Sequence, residues 1–234
     1  DHRQVKSDCR TKTGNQAKSA PAGIHPSWRY FFEPPAHYNI FEEWLDQNKH
    51  GTMNYLAEER SRIRRADPKQ ILPECKSILV LAMPYTKAEG RRQKAEFQIA
   101  SYALGEDYHD VIPTRLKLIV EFIEEQLGHP IPNRYYTDSG PILERELAQR
   151  AGLGWIGKNS MLINPRAGST FFLAEILLGI ELEPDETLIT DHCGTCTRCI
   201  QACPTQCILP NRTLERAAAS PTSPSNSKKK SRMN

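Results

Sequence analysis

Four cysteines crowd into one short stretch, Cys193-x2-Cys196-x2-Cys199-x3-Cys203, and Pro204 follows the last of them. A segment this dense in thiols is a compact loop shaped by whatever the sulfurs hold. Thiolates two residues apart fold around one metal corner, and three of them occupy three irons of a cubane. The fourth, placed before proline, reaches a different cluster in the two-cluster arrangement. A zinc knuckle also uses C-x2-C pairs, but a four-cysteine run ending in Cys-Pro is not its usual form. Five of the seven cysteines lie between Cys193 and Cys207, while Cys9 and Cys75 stand alone. A disulfide framework would spread its cysteines and come with a secretory leader, so a reducing compartment and metal ligation are expected.

The rest of the chain sets limits on what surrounds that loop. At 234 residues and 38% hydrophobic content it can build one or two ordinary cores. No apolar run approaches the roughly 20 residues of a membrane helix, and the first residues do not read as a signal peptide. A cytoplasmic protein without a membrane partner is expected. A net charge of +3 permits contact with a polyanion without establishing it.

Strand-like and helix-like stretches alternate between two polar ends. Residues 1–20 are expected to be disordered, as is the Ser/Pro/Lys-rich tail 212–234. Asn39 is placed to cap a helix over residues 40–48. Residues 77–83 (SILVLAM) form a short apolar run and predict a buried strand. Ile112, Leu116, Ile119, Ile123 and Leu127 recur at helical spacing, with Pro113 read as first-turn and Gly128 as the stop. A strand is predicted over residues 134–137, then a helix capped by Ser139 and running to Ala151, then strands near residues 161–163 and 171–178. That order predicts an α/β domain over residues 21–185 and a small cysteine module over residues 186–211. Gly152-Leu-Gly154-Trp-Ile-Gly157 matches G-x-G-x-x-G by letter, but it follows a helix and leads toward a strand, the reverse of a dinucleotide site. Arg60, Arg62, Arg64 and Arg65 fit either a solvated helix face or a phosphate contact.

Four stretches resemble the epoxyqueuosine reductase family: residues 50–85 (HGTMNYLAEERSRIRRADPKQILPECKSILVLAMPY), 101–112 (SYALGEDYHDVI), 137–176 (TDSGPILERELAQRAGLGWIGKNSMLINPRAGSTFFLAEI) and 192–208 (HCGTCTRCIQACPTQCI). The resemblance implies an α/β (α+β), nitroreductase-like domain that binds cobalamin, followed by a partial ferredoxin-like iron–sulfur module. It implies two [4Fe–4S] clusters in the family, an external electron donor and a monomer. The implied substrate is tRNA carrying epoxyqueuosine at the wobble position, reduced to queuosine with two electrons and two protons. Asp138 matches the family's proton donor. Tyr108, His109, Leu162, Asn164 and Leu173 fall in segments expected to line the cobalamin site, and Cys193, Cys196, Cys199 and Cys203 are the expected cluster ligands.

Read from the residues, Asp138 lies at a strand end just before a helix, where α/β folds usually place ligand-binding groups. A helix N-terminus would hold its carboxylate ionised, and a bulky corrin excluding water would push it back toward the acid form. The family's second cysteine run and its tRNA-gripping helical repeats have no counterpart here, so the chain is expected to be a shortened form. Its alternative is a non-catalytic or differently specific corrinoid and iron–sulfur electron-transfer protein.

Overall fold

The computed structural model describes residues 25–28, 35–85, 100–183 and 190–219. The polar segment 1–20 and the tail beyond residue 219 lie outside the described residues.

A four-stranded sheet in the order β1-β2-β6-β3 carries the fold. Its strands are β1 (His25–Trp28), β2 (Ser77–Pro84), β3 (Asn133–Tyr136) and β6 (Phe171–Leu178). Every neighbouring pair is antiparallel, with Val80 opposite Glu175 and Tyr135 opposite Ile176. The α/β expectation is therefore met as a mixed fold whose sheet is antiparallel. Helix α3 (Tyr108–Leu127) connects β2 to β3 as a crossover, but β6 inserts between them and runs against both. Strands β2 and β6 are covered on both faces, and this is why both read as largely apolar runs, β6 interrupted by Glu175.

On one face Leu79, Leu81, Ala174, Ile176 and Leu178 pack against Ile112, Leu116 and Val120 of α3. On the other, Ile78, Val80, Ala82 and Leu177 pack against Ile142, Leu147, Ala148, Leu153 and Leu162. Each fully buried Leu or Ile contributes about 1.5–3 kcal/mol relative to exposure.

Helix α3 begins with Asp107, whose carboxylate accepts the His109 N–H, and ends on Gly128 at φ +74°. Pro113 is thus in its second turn, not its first, and removes one interior hydrogen bond. Helix α1 (Tyr38–Asp46) starts after His37 rather than at Asn39. The turn that ties the Tyr38 N–H to the Pro35 carbonyl already supplies the first helical carbonyls. Helix α2 spans Glu59–Ala66 and α4 spans Glu144–Arg150. Ser139 does not cap α4, because its hydroxyl donates to the Thr137 carbonyl and residues 138–143 form a loop.

After α4 the chain makes a small ribbon, β4 (Trp155–Ile156) against β5 (Leu162–Ile163). The glycine-rich string follows a helix and enters a strand, as its order implied. Gly152 takes φ +77°, and a Cβ on Gly154 would overlap the Ile163 carbonyl. These glycines serve a turn and a close backbone approach.

The cysteine segment carries the short helix α5 (Arg198–Gln201), and α6 (Arg216–Ala219) follows it. Residues 212–219 were expected to be unpacked and are not. Leu214 bridges to Ile208, the Trp44 indole N–H donates to the Leu214 carbonyl at 2.6 Å, and the Arg216 N–H donates to the Lys49 carbonyl. Backbone carbonyls and indole N–H groups hold a stretch whose side chains are too polar to predict burial.

Candidate active site

Strand β3 delivers the chain to the site. Thr137 is buried, and its hydroxyl donates to the Leu173 carbonyl at 2.8 Å. Asp138 then turns into the left-handed region at φ +58°. Its backbone N–H donates to Glu144 Oε1 at 2.6 Å, closing the loop onto the start of α4. Gly140 is required here, because a Cβ would overlap the Tyr136 ring. The helix begins six residues beyond Asp138, so the expected helix-terminus stabilisation of its carboxylate does not operate.

The Asp138 carboxyl is exposed and meets two side chains from the start of α3. The Tyr108 hydroxyl donates to its Oδ2 at 3.0 Å, and His109 Nε2 stands 3.6 Å from the same oxygen. The Tyr108 ring stacks on Phe172 with centroids 4.2 Å apart. His109 Nδ1 contacts Asp107 Oδ1 at 2.8 Å, so one carboxylate both caps α3 and orients the imidazole. Burial first, and the hydrogen bond to Asp138 second, push the Tyr108 phenol up to about 12. The hydrogen bond to Asp107 chiefly raises the His109 imidazole, with further support from Asp138. A neutral phenol and a readily protonated imidazole therefore converge on one carboxyl oxygen, an arrangement suited to holding and passing a proton.

Asp138 and Ser139 form part of the wall of a cleft of about 1150 Å³. Its walls combine Phe41, Trp44 and Tyr55 with Arg60, Arg64 and Arg65 of α2, and Arg212 and Arg216 of the C-terminal segment. The arginine run is not a uniform solvated face. Arg62 pairs with Glu42, while Arg65 is buried, bonds Ser61 and lies 5.7 Å over the Phe41 ring. Arg60 and Arg64 are one turn apart and face the cleft. That spacing was visible in the sequence, but the aromatic wall was not, because Trp44 and Tyr55 come from separate elements.

The other expected residues divide. The Leu162 side chain is buried in the core, and Leu173 packs against it. Asn164 is spent within its own turn: its amide donates to the Leu153 carbonyl at 2.7 Å, and its oxygen accepts the Arg166 and Ala167 N–H groups. These three do not join Asp138, Tyr108 and His109.

Two further carboxyls lie behind Asp138. Glu175, at the middle of β6, is fully buried, and neither side-chain oxygen has a hydrogen-bond partner among the described residues. Complete burial drives its carboxyl well above the usual range, and the Glu144 charge adds to that. Glu144 is pushed up to about 7 by burial, against the opposing Asp138 N–H.

The cysteine loop is stapled to this body. Lys158 Nζ donates to the Gly194 carbonyl at 2.7 Å and the Cys196 carbonyl at 3.0 Å. Asp191 accepts the Cys193 N–H at 2.8 Å and pairs with Arg212. Cys203 and Cys207 bring their sulfurs to 3.6 Å. Hydrogen bonding to Thr205, with Cys207 adding, lowers the Cys203 thiol to about 6. The donor chemistry suits a thiolate cluster. Among the described residues no three Cys, His or carboxylate groups are gathered around one point.

Among the described residues no helix is long and apolar enough to cross a membrane. Residues 65–139 match the family model described as epoxyqueuosine reductase QueG, DUF1730. The epoxyqueuosine reductase of Leadbetterella byssophila is 43% identical over 169 residues, covering 72% of this chain and 54% of that protein. The solved epoxyqueuosine reductase of Streptococcus thermophilus superposes with a TM-score of 0.73 at 30% identity, over 83% of this chain and 52% of its own. Two more solved epoxyqueuosine reductases, each with a TM-score of 0.64 and 30% identity, cover 82% and 83% of this chain and 50% of their own. One is in complex with an epoxyqueuosine-modified tRNA-Tyr stem loop. The other, from Bacillus subtilis, has the loop of its catalytic aspartate swung out of the active site. The chain spans about half the length of these relatives, and shared sequence and shared fold together make it a member of the epoxyqueuosine reductase family.

Proposed function

We propose that this chain carries the reductase site that converts epoxyqueuosine to queuosine in tRNA, with Asp138 as the proton donor. One observation carries this. A carboxyl group on a left-handed loop residue stands at the wall of a large cleft, with Tyr108 and His109 on its Oδ2. The chain belongs to a family of reductases, and a relative in complex with an epoxyqueuosine-modified stem loop supports tRNA as the substrate.

Removal of the epoxide oxygen takes two electrons and two protons and releases water. Cobalamin is the proposed cofactor. The cleft's volume and its mixed aromatic and arginine lining fit a large macrocycle fringed with polar groups. When bound, it would supply a strongly reducing, nucleophilic metal centre. The chain's own residues then supply orientation and protons. Asp138 gives its proton to the opening epoxide oxygen, Tyr108 and His109 hold the carboxyl in place, and the protonated His109 imidazole refills it. Phe41, Trp44 and Tyr55 offer stacking surfaces, while Arg60 and Arg64 offer phosphate contacts. Leu162, Asn164 and Leu173 lie outside that cleft's lining, and their backbone is proposed beside the cofactor on the family resemblance alone.

The proposed ligands of a [4Fe–4S] cluster are Cys193, Cys196 and Cys199, with Cys203 as the thiol directed at a second cluster. Electrons would come from an external donor, and a cytoplasmic setting fits reduced thiols.

Queuosine content of tRNA from a deletion strain carrying this chain is the deciding measurement. Restored queuosine is expected. Asp138→Asn should lower it by about 10²-fold or more, the usual worth of a positioned general acid. Full restoration by that variant would refute the assignment.

A further inference from the structure

Besides the Tyr108 and His109 contacts to its carboxyl, Asp138 is held at the cleft wall through its backbone. A residue with a Cβ holds φ +58° only where its surroundings compensate. Here the compensation comes from Glu144 Oε1, which accepts the Asp138 N–H at 2.6 Å. Glu144 opens α4, whose next turn is fixed in the core by buried Leu147 and Ala148. The charged groups facing Glu144 are Asp138 from the loop, Arg145 from its own helix, Arg65 from α2 and Glu175 from β6. Glu175 is fully buried with no hydrogen-bond partner among the described residues, so it stays neutral. Glu144 has an N–H and two guanidinium groups to answer its charge, so it is the member of the pair that ionises. In one solved relative the loop of the catalytic aspartate is swung out of the active site, so a loop of this kind has an outer position to go to.

We propose that the Glu144 carboxylate is the catch that holds the Asp138 loop at the cleft, making Glu144 a positioning residue for the proton that Asp138 delivers. The catch itself is a property of the fold; only the use of that proton rests on the function proposed above. An ionised acceptor bonds an N–H more strongly than a neutral one.

Backbone hydrogen exchange over residues 137–141 of the full chain tests this without cofactor or substrate. Glu144→Ala is expected to exchange there about 10-fold faster or more while peptides from α3 and β6 stay protected. Glu144→Gln keeps an acceptor oxygen, so it should hold the loop more tightly than Glu144→Ala. If Glu144→Ala loses protection everywhere, Glu144→Gln decides alone. Unchanged exchange in a folded Glu144→Ala protein overturns the proposal, as does loss of loop protection in a folded Glu144→Gln protein. In a preparation active on tRNA, Glu144→Ala should lower kcat with little change in KM. Absence of activity in the parent would bear on the proposed function and leave the exchange result intact.

Discussion

Asp138 shows how a single residue can be found in a sequence while the reason for its position is missed. Its place between a strand and a helical stretch was legible, and so was its resemblance to a proton donor. Its left-handed backbone and the Glu144 contact were not, because both depend on a loop closing over six residues onto a side chain. A second carboxyl shows the same tertiary origin. Glu146 is buried in α4, accepts the Ala36 N–H at 3.1 Å and pairs with His37 Nδ1, tying the start of α1 to the cleft. The hydrogen bond to Glu146 raises His37 above its ordinary 6.5. A raised histidine contributes fully below its unfolded value and loses that contribution as pH climbs through the folded one. The gap in thermal unfolding temperature between the parent and His37→Ala should therefore be widest in mildly acidic buffer and narrow as pH rises. A gap that stays constant across that window would count against the pairing.

Among the elements, the ones legible in advance are those whose signal is local. The apolar runs of β2 and β6 and the helical period of α3 follow from burial on two faces and on one. Helix α4 was misjudged at its start because Ser139 has the chemistry of a cap, yet the fold spends its hydroxyl on Thr137. The cleft's aromatic wall was illegible for a related reason: its members lie in α1 and the turn before α2, and only packing brings them together. In the β4–β5 ribbon the glycines have a mechanical purpose that can be tested. Gly154→Ala forces a methyl group against the Ile163 carbonyl and is expected to cost about 1–3 kcal/mol. Denaturant unfolding measures this directly, and a loss below about 0.5 kcal/mol would mean that the ribbon yields easily.

For the molecule as a whole, the donor inventory limits the metal content. If the proposed cluster forms on Cys193, Cys196 and Cys199, anaerobic reconstitution of this chain should load about four irons. A count near eight would require ligands that Cys193, Cys196, Cys199, Cys203 and Cys207 cannot supply.

The segment that carries those thiols does not end its work at Cys207. It doubles back so that Arg212 grips Asp191 on one side while Asn211, Thr213 and Leu214 become part of the cleft wall. A movement of the sulfur loop that carried Arg212 with it would change the shape offered to a guest in the cleft, and linkage would make that effect reciprocal. The Arg212 guanidinium, with Lys158 beside the loop, is where such a connection would have to pass.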